Sequence, residues 1–324
     1  MRRNTYELPC ASPSPSTSPS HSRWFAAWLV KTGSTNTELS ALVASGAPAY
    51  PLGTRAREAL LSPNGFRSSV WGPLIFWPVL HGWCQEDWVH NLPAALVRFF
   101  LSSPAYLLPC VYCRRSYLEY ISQEENDLVT CVACRQSPEA RRAAIPSFMA
   151  RIHNCVNAKL GKQEFRGPCD SMLNSFPWRS RFWDYVFLQA LDYPLNVSAE
   201  VREFDRHVAR RYRTCVLFFE LLKDWLPDST LRRAWMKALL MDPPTPLTFA
   251  SRTGLVEWLY RMYEGAHRPL APCRSERETV AGKRVRNRNG QMCIPSLDEA
   301  LERYGELRAT SCSSIERPGE TGCT

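Results

Sequence analysis

The chain has 324 residues, 45% of them hydrophobic, and a formal net charge of +9. That balance suits one large core or two small ones and excludes a disordered polymer. Thirteen cysteines are too few for a disulfide scaffold, and no apolar run reaches the length of a bilayer span.

The basic excess is spread over short stretches such as 202–213, 232–233 and 274–288, which reads as a solvated surface. No RNP, basic-zipper or homeodomain pattern accompanies it, so a nucleic-acid partner is not expected. The eleven tryptophans suit aromatic core packing or a flat aromatic ligand. The odd cysteine count leaves at least one thiol unpaired unless a metal or a second chain takes it.

Residues 1–64 read as a flexible extension. Their Ser/Pro run, 10–22, is low in complexity, and their start matches neither a secretory signal nor a transit peptide. Helical signals then follow one another without strand-like alternation. Residues 70–85 are apolar and aromatic, 92–101 follow with Pro93 in a first-turn position, and 111–121 begin just after Pro109. Pro146 and Ser147 open a helix over 148–160 that stops at Gly161. The expected fold is therefore all-α, with a helical domain over 65–179. A second helical domain is expected over 180–270. The tail, 271–324, is basic and carries Cys273, Cys293, Cys312 and Cys323; helical spacing is confined to 297–307.

Two cysteine pairs have CxxC spacing, Cys110/Cys113 and Cys131/Cys134. At a helix start such a pair places two sulfurs one turn apart, and the helix N-terminus favours thiolate. Attack on one sulfur then expels the other. A second chemistry fits the same residues: two CxxC pairs separated by seventeen residues match a four-cysteine zinc pattern. Against zinc, residues 114–127 read as one amphipathic helix, where a zinc ribbon would show short strands and turns.

Further motifs occur in order around the first pair. Trp71-Gly72-Pro73 and Trp77-x-x-x-His81 precede it, as do the aromatic residues Phe99-Phe100. The string His153-Asn154-Cys155-Val156-Asn157-Ala158-Lys159-Leu160-Gly161-Lys162 follows it. Together they resemble the Erv/ALR family of FAD-linked sulfhydryl oxidases over about 66–178, the HNxVNxxLGK string being the specific part. The resemblance implies an Erv-type four- or five-helix bundle that binds FAD. Cys110 would meet the incoming thiol and Cys113 would sit against the flavin. Trp71, Gly72, Trp77, His81, His153, Asn154, Asn157, Leu160, Lys162 and Trp178 would form the cofactor site. Protein thiols would be the substrates and oxygen the acceptor, giving hydrogen peroxide. No structural metal is implied. Cys131/Cys134 is a possible shuttle pair. Relatives work in the mitochondrial intermembrane space, secretory compartments and large-DNA-virus assembly. The residues themselves assign no compartment.

The chain departs from the family pattern in three places. One residue is inserted between Gly72 and Trp77. Ala150 stands where relatives carry a cysteine, which leaves Cys169 without its usual partner. Cys155 lies inside the helix motif. Residues 180–270 resemble a faded second copy: 182–194 match WxxLHxxAxxYP loosely, Phe218-Phe219 precede Leu226-Pro227, and Tyr263-Glu264 stand where His-Asn would be. Asp228-Ser229 replace the CxxC. Such a copy would make an intrachain pseudo-dimer, the alternative being a homodimer, and would hold no FAD. The rival functions are a zinc-binding interaction protein with Cys110, Cys113, Cys131 and Cys134 as ligands, and an inactive flavin-binding scaffold.

Overall fold

The computed structural model describes residues 50–62, 64–133, 137–166, 178–195, 206–245, 248–267 and 296–313, with backbone only for 206–210 and 310–313. The protein is mostly helical, with one two-stranded sheet. In chain order come α1 (Thr54–Leu61) and β1 (Asn64–Phe66), then a helical run of Ser68–Trp71, a π-helical turn Gly72–Phe76, and α2 (Trp77–Cys84). After a short helix, Asp87–His90, follow α3 (Ala94–Ser102), the short Pro104–Leu107, and α4 (Val111–Ile121). The short Leu128–Cys131 leads to α5 (Pro138–Lys159). The second half holds α6 (Trp178–Leu191), α7 (Arg206–Glu220), the short Leu222–Trp225, α8 (Ser229–Met241) and α9 (Arg252–His267). The chain then returns as α10 (Leu297–Gly305) and β2 (Arg308–Ser313).

Local chemistry sets many of these boundaries. Ser137 Oγ accepts from the Ala140 amide to start α5, with Pro138 in the first turn. Gly161, at φ 64°, ends it. The Lys162 amide donates to Asn157 C=O (2.8 Å) and the Gly161 amide to Ala158 C=O (3.1 Å), the paired bonds of a Schellman cap. Asp228 caps α8 through the amides of Thr230 and Leu231, and Ser296 caps α10 through Glu299. The helix expected over 148–160 starts eight residues before Pro146 and runs through it. The proline costs one ladder bond, and burial of Ile145, Phe148, Met149 and Ile152 offsets it.

The two halves share one apolar core. Phe100 stacks on Trp83 (4.0 Å between centroids) and lies 5.1 Å from Trp225, while Phe99 stacks on Trp225 (5.6 Å). Phe218 closes the cluster from α7. The tryptophans of the core thus include the joint between the halves. The order of pieces also repeats. An aromatic pair in a helix, a short helix, Leu-Pro, an N-cap and a longer helix occur in 94–121 and again in 206–241.

Buried charge ties the same joint together. Asp192 Oδ2 accepts from Arg114 (3.2 Å) and Arg211 (2.6 Å), and Arg114 and Asp192 are each 1% exposed. Arg252 donates to the C=O of Leu60, Ser62 and Tyr193, and Arg308 to the C=O of Ala59, Asn64 and Leu191. These guanidiniums satisfy carbonyls at the C-terminal ends of α1 and α6, where the ladder leaves acceptors unpaired.

Three expected boundaries differ from the structure. Residues 114–127, read as one amphipathic helix, are helical only to Ile121; a 3-10 turn, Glu124–Asn126, follows, and Asp127 caps the short Leu128–Cys131, so a continuous helix does not weigh against zinc. Residues 54–61, read as part of a flexible extension, form α1 with Ala56, Ala59 and Leu60 buried. Helix α10 packs against it: the Gly53 amide donates to Asp298 (2.7 Å), and a Cβ on Gly305 would stand 2.9 Å from that of Ala59. The partner that buries α1 lies about 240 residues away in sequence, so local pattern does not reveal it. The boundary at 179/180 falls inside α6, because Trp178 already belongs to that helix. Within the tail, α10 forms over the stretch with helical spacing. The Ser/Pro run and Cys134, Cys169, Cys273, Cys293 and Cys323 lie outside the described residues.

Candidate functional site

Cys110 is the N-cap residue of α4, held extended at φ −161°, and its Sγ accepts from the Cys113 amide at 3.2 Å. Cys110 and Cys113 are disulfide-bonded, with Cα atoms 5.2 Å apart. Pro109 fixes the approach, and the Phe66 amide donates to its carbonyl. Arg114 anchors the next turn, donating to Leu108 C=O (2.6 Å) as well as to Asp192. When the pair opens, each sulfur stands at the amide end of α4, where the helix dipole favours an anion.

The pair faces a cavity of about 760 Å³, within the size range of cofactor sites. Of the residues singled out from sequence, the structure brings Trp71, Gly72, Trp77, Cys110, Cys113, His153, Asn157, Leu160 and Lys162 to its wall. The residue that the Erv/ALR resemblance treats as inserted before Trp77 falls in the π-helical turn. The Trp77 amide donates to Gly72 C=O, five residues back, so the wide turn absorbs the extra residue without breaking the helix. Trp71 and Trp77 therefore line the same cavity despite their altered spacing.

His153 stacks on Trp77 with centroids 3.9 Å apart and planes 5° from parallel. Behind it, His81 Nε2 lies 2.9 Å from His153 Nδ1. Burial, and then the neighbouring His153, lower the His81 pKa to about 3; burial, and then Lys162, lower that of His153 to about 4. Both imidazoles are therefore neutral near pH 7, one donating and the other accepting.

Three of the expected residues have other positions. His81 is 4% exposed and supports His153 from outside the wall. Asn154 pairs twice with the Phe165 backbone, at 2.9 Å each way, and so holds the segment that carries Lys162. Trp178 packs on Gly82 and bonds Glu86 at 3.1 Å, away from the cavity wall. Gly82 permits that approach, since a Cβ there would stand 2.2 Å from the indole.

Several wall residues were not singled out from sequence. Tyr117 and Tyr120 follow Cys113 at helical spacing, so the periodicity of α4 already contained them. Phe66, Arg67 and Ala309 come from the β1–β2 region, where residue 66 pairs with residue 308; no local signal marks that pairing.

Cys131 lies elsewhere. Its Sγ donates to Ala144 C=O at 3.1 Å, whereas α5 reaches the cavity only from His153 onward. Among the described residues no set of three or more His, Cys, Asp or Glu is arranged to hold a metal ion, and no helix is long and apolar enough to cross a membrane. Cys155 lies near Asn126 and Gln123 with weak sulfur contacts of 3.7 and 3.9 Å. Comparison with known proteins adds no name to this site: no family model, no curated protein and no solved structure matches the chain.

Proposed function

We propose that the chain is an FAD-dependent sulfhydryl oxidase of Erv/ALR type, with Cys110–Cys113 as its redox pair. The observation that carries this reading is the opening of that disulfide onto the same cavity as the Trp77–His153 stack, Asn157 and Lys162.

The wall fits an anionic, aromatic dinucleotide. Among the described residues it is mainly apolar and aromatic, its charged residues are Arg67, Lys159 and Lys162, and it contains no carboxylate. Trp77 and His153 would flank a flat ring system, Asn157 would meet polar edges, and Lys159 and Lys162 would meet the pyrophosphate. Bound FAD supplies a two-electron acceptor that returns the electrons to oxygen as hydrogen peroxide.

The residues of the chain handle the thiols. A substrate thiolate attacks Cys110 Sγ, the Cys110–Cys113 bond breaks, and Cys113 leaves as a thiolate at the amide end of α4. A second substrate thiolate attacks the mixed disulfide. The substrate leaves oxidised, and the pair is left reduced by two electrons. The neutral His81–His153 pair keeps the imidazole face uncharged beside the ring site.

The second half reads as a degenerate copy that forms an intrachain pseudo-dimer. In the faded sequence repeat Trp183, Phe187 and Tyr263 match Trp77, His81 and His153, and the Tyr263 ring lies 5.0 Å from Trp183 and 6.0 Å from Phe187. All three are buried, and Tyr304 of α10 stacks on Phe187. That copy therefore has its slot filled by the chain itself.

The test is a visible absorption spectrum of the purified chain, with zinc assayed and dithiol turnover measured on the same sample. One flavin per chain, no zinc and peroxide release on adding dithiol support the reading. A colourless protein with stoichiometric zinc overturns it, and a flavoprotein without turnover leaves only the scaffold.

A further inference from the structure

Resting on the reading of Cys110–Cys113 as a thiol-accepting disulfide, we infer that Arg67 makes the site selective for polypeptide thiols flanked by acidic residues. Among the described residues the charged members of the cavity wall, Arg67, Lys159 and Lys162, are all cations. Lys159 and Lys162 belong to the α5 end: Lys159 Nζ donates to Ser116 at 2.7 Å, and Lys162 follows the cap at Gly161. The two phosphates of a dinucleotide would offset these two charges.

Arg67 belongs to the other end. Phe66, its neighbour, donates its amide to the carbonyl of Pro109, the residue before Cys110, at 3.3 Å. The Arg67 side chain is exposed, and its Nη2 donates to the backbone carbonyl of Glu306 at 2.5 Å. Among the described residues no carboxylate lies within ion-pair distance of it. Glu119, Glu164 and Glu306 are exposed and lie outside the wall. Among the described residues the Arg67 charge therefore has no carboxylate partner, and it stands on a different element from the two lysines that would meet phosphate.

The incoming group is itself an anion, because thiolate is the attacking species. A fixed cation at an open rim raises the encounter rate of negatively charged partners and lowers that of positive ones. The rim suits a polypeptide: both cysteines are partly exposed, and Tyr112, 37% exposed, stands between them as a contact surface. In the selective step one substrate thiolate forms a bond to Cys110 Sγ and the electron pair of the broken bond leaves on Cys113.

The experiment uses the full-length protein and three peptides of one sequence, with a single cysteine flanked by Glu, Gln or Lys. Anaerobic opening of the Cys110–Cys113 disulfide is followed by quenching, thiol alkylation and mass measurement. Each rate is divided by the thiolate fraction of its peptide, because flanking lysines acidify the thiol. At low salt the acidic peptide should react about tenfold faster than the basic one, and high salt should collapse the ratio. Arg67→Gln keeps a donor for the Glu306 carbonyl and should bring the ratio towards one; Arg67→Lys should retain it. A wild-type ratio near one at low salt overturns the inference, as does an unchanged ratio in Arg67→Gln. Turnover of neutral dithiothreitol with oxygen reports separately on the oxidase reading. Its absence sinks that reading, whereas its presence with a peptide ratio of one sinks only the selectivity.

Discussion

Replacing Asp192 by Asn removes a buried carboxylate that joins α4 to the second half. Asp192 bridges Arg114 and Arg211, and Arg114 and Asp192 are each 1% exposed. Two further guanidiniums feel the same carboxylate: burial lowers the pKa of Arg252 to about 10 and that of Arg308 to about 9, and Asp192 opposes both shifts. Removing one partner of a buried pair strands the other charge, at a cost of about 3–5 kcal/mol. Against a total stability of about 5–15 kcal/mol, a third of the fold's margin is at stake. Urea unfolding, followed by tryptophan fluorescence and circular dichroism, should show a midpoint lowered by about 1 M with unchanged slope. Asp242→Asn is the control, because its pair with Arg261 is 41% exposed on both sides and is worth less than about 1 kcal/mol. If the two variants unfold at the same urea concentration, the buried network does not hold the halves together.

Other outcomes bear on the site itself. Cys113→Ser should abolish dithiol oxidation while keeping bound FAD; normal turnover would remove this pair from the chemistry. His153→Ala loses a ring stacked 3.9 Å from Trp77. Loss of that wall should weaken FAD retention, and unchanged retention would show that His153 is not a wall of the cofactor site. Stability should fall as the pH drops from 6.5 towards 4. His81, His153 and His267 have folded pKa values lowered to about 3, 4 and 4, so the unfolded chain binds their protons first and stability is full only above 6.5. Glu220, raised to about 7 by burial, works in the opposite direction because its folded form keeps a proton that the unfolded form releases. The net uptake on unfolding near pH 5 is about two protons. Glu220→Gln should steepen the decline, and a flat pH profile in wild type would contradict the assigned shifts.

Much of this architecture follows from residues within a turn or two of one another. Pro109 and the CxxC place Cys110 at a helix start, Gly161 closes α5, and the 297–307 spacing yields α10, because caps and helical periodicity are local. The order of Trp77, the cysteine pair and the His153 string likewise marked nine residues that share one wall. Other features depend on contacts across the chain. Asn154 serves the Phe165 backbone, Trp178 seats on Gly82, and Cys131 turns to Ala144; each choice depends on which surface the fold offers. The deepest divide is at the cavity rim. Arg308 donates to Asn64 C=O across 244 residues at 2.6 Å, and β2 pairs with β1 beside Pro109. Residue types marked most of the helices and the CxxC pair at the start of α4. Long-range packing alone decided that 65–69 and the returning tail at Ala309 complete the wall beside Cys110, because a strand finds its partner through the global fold and not through its own sequence.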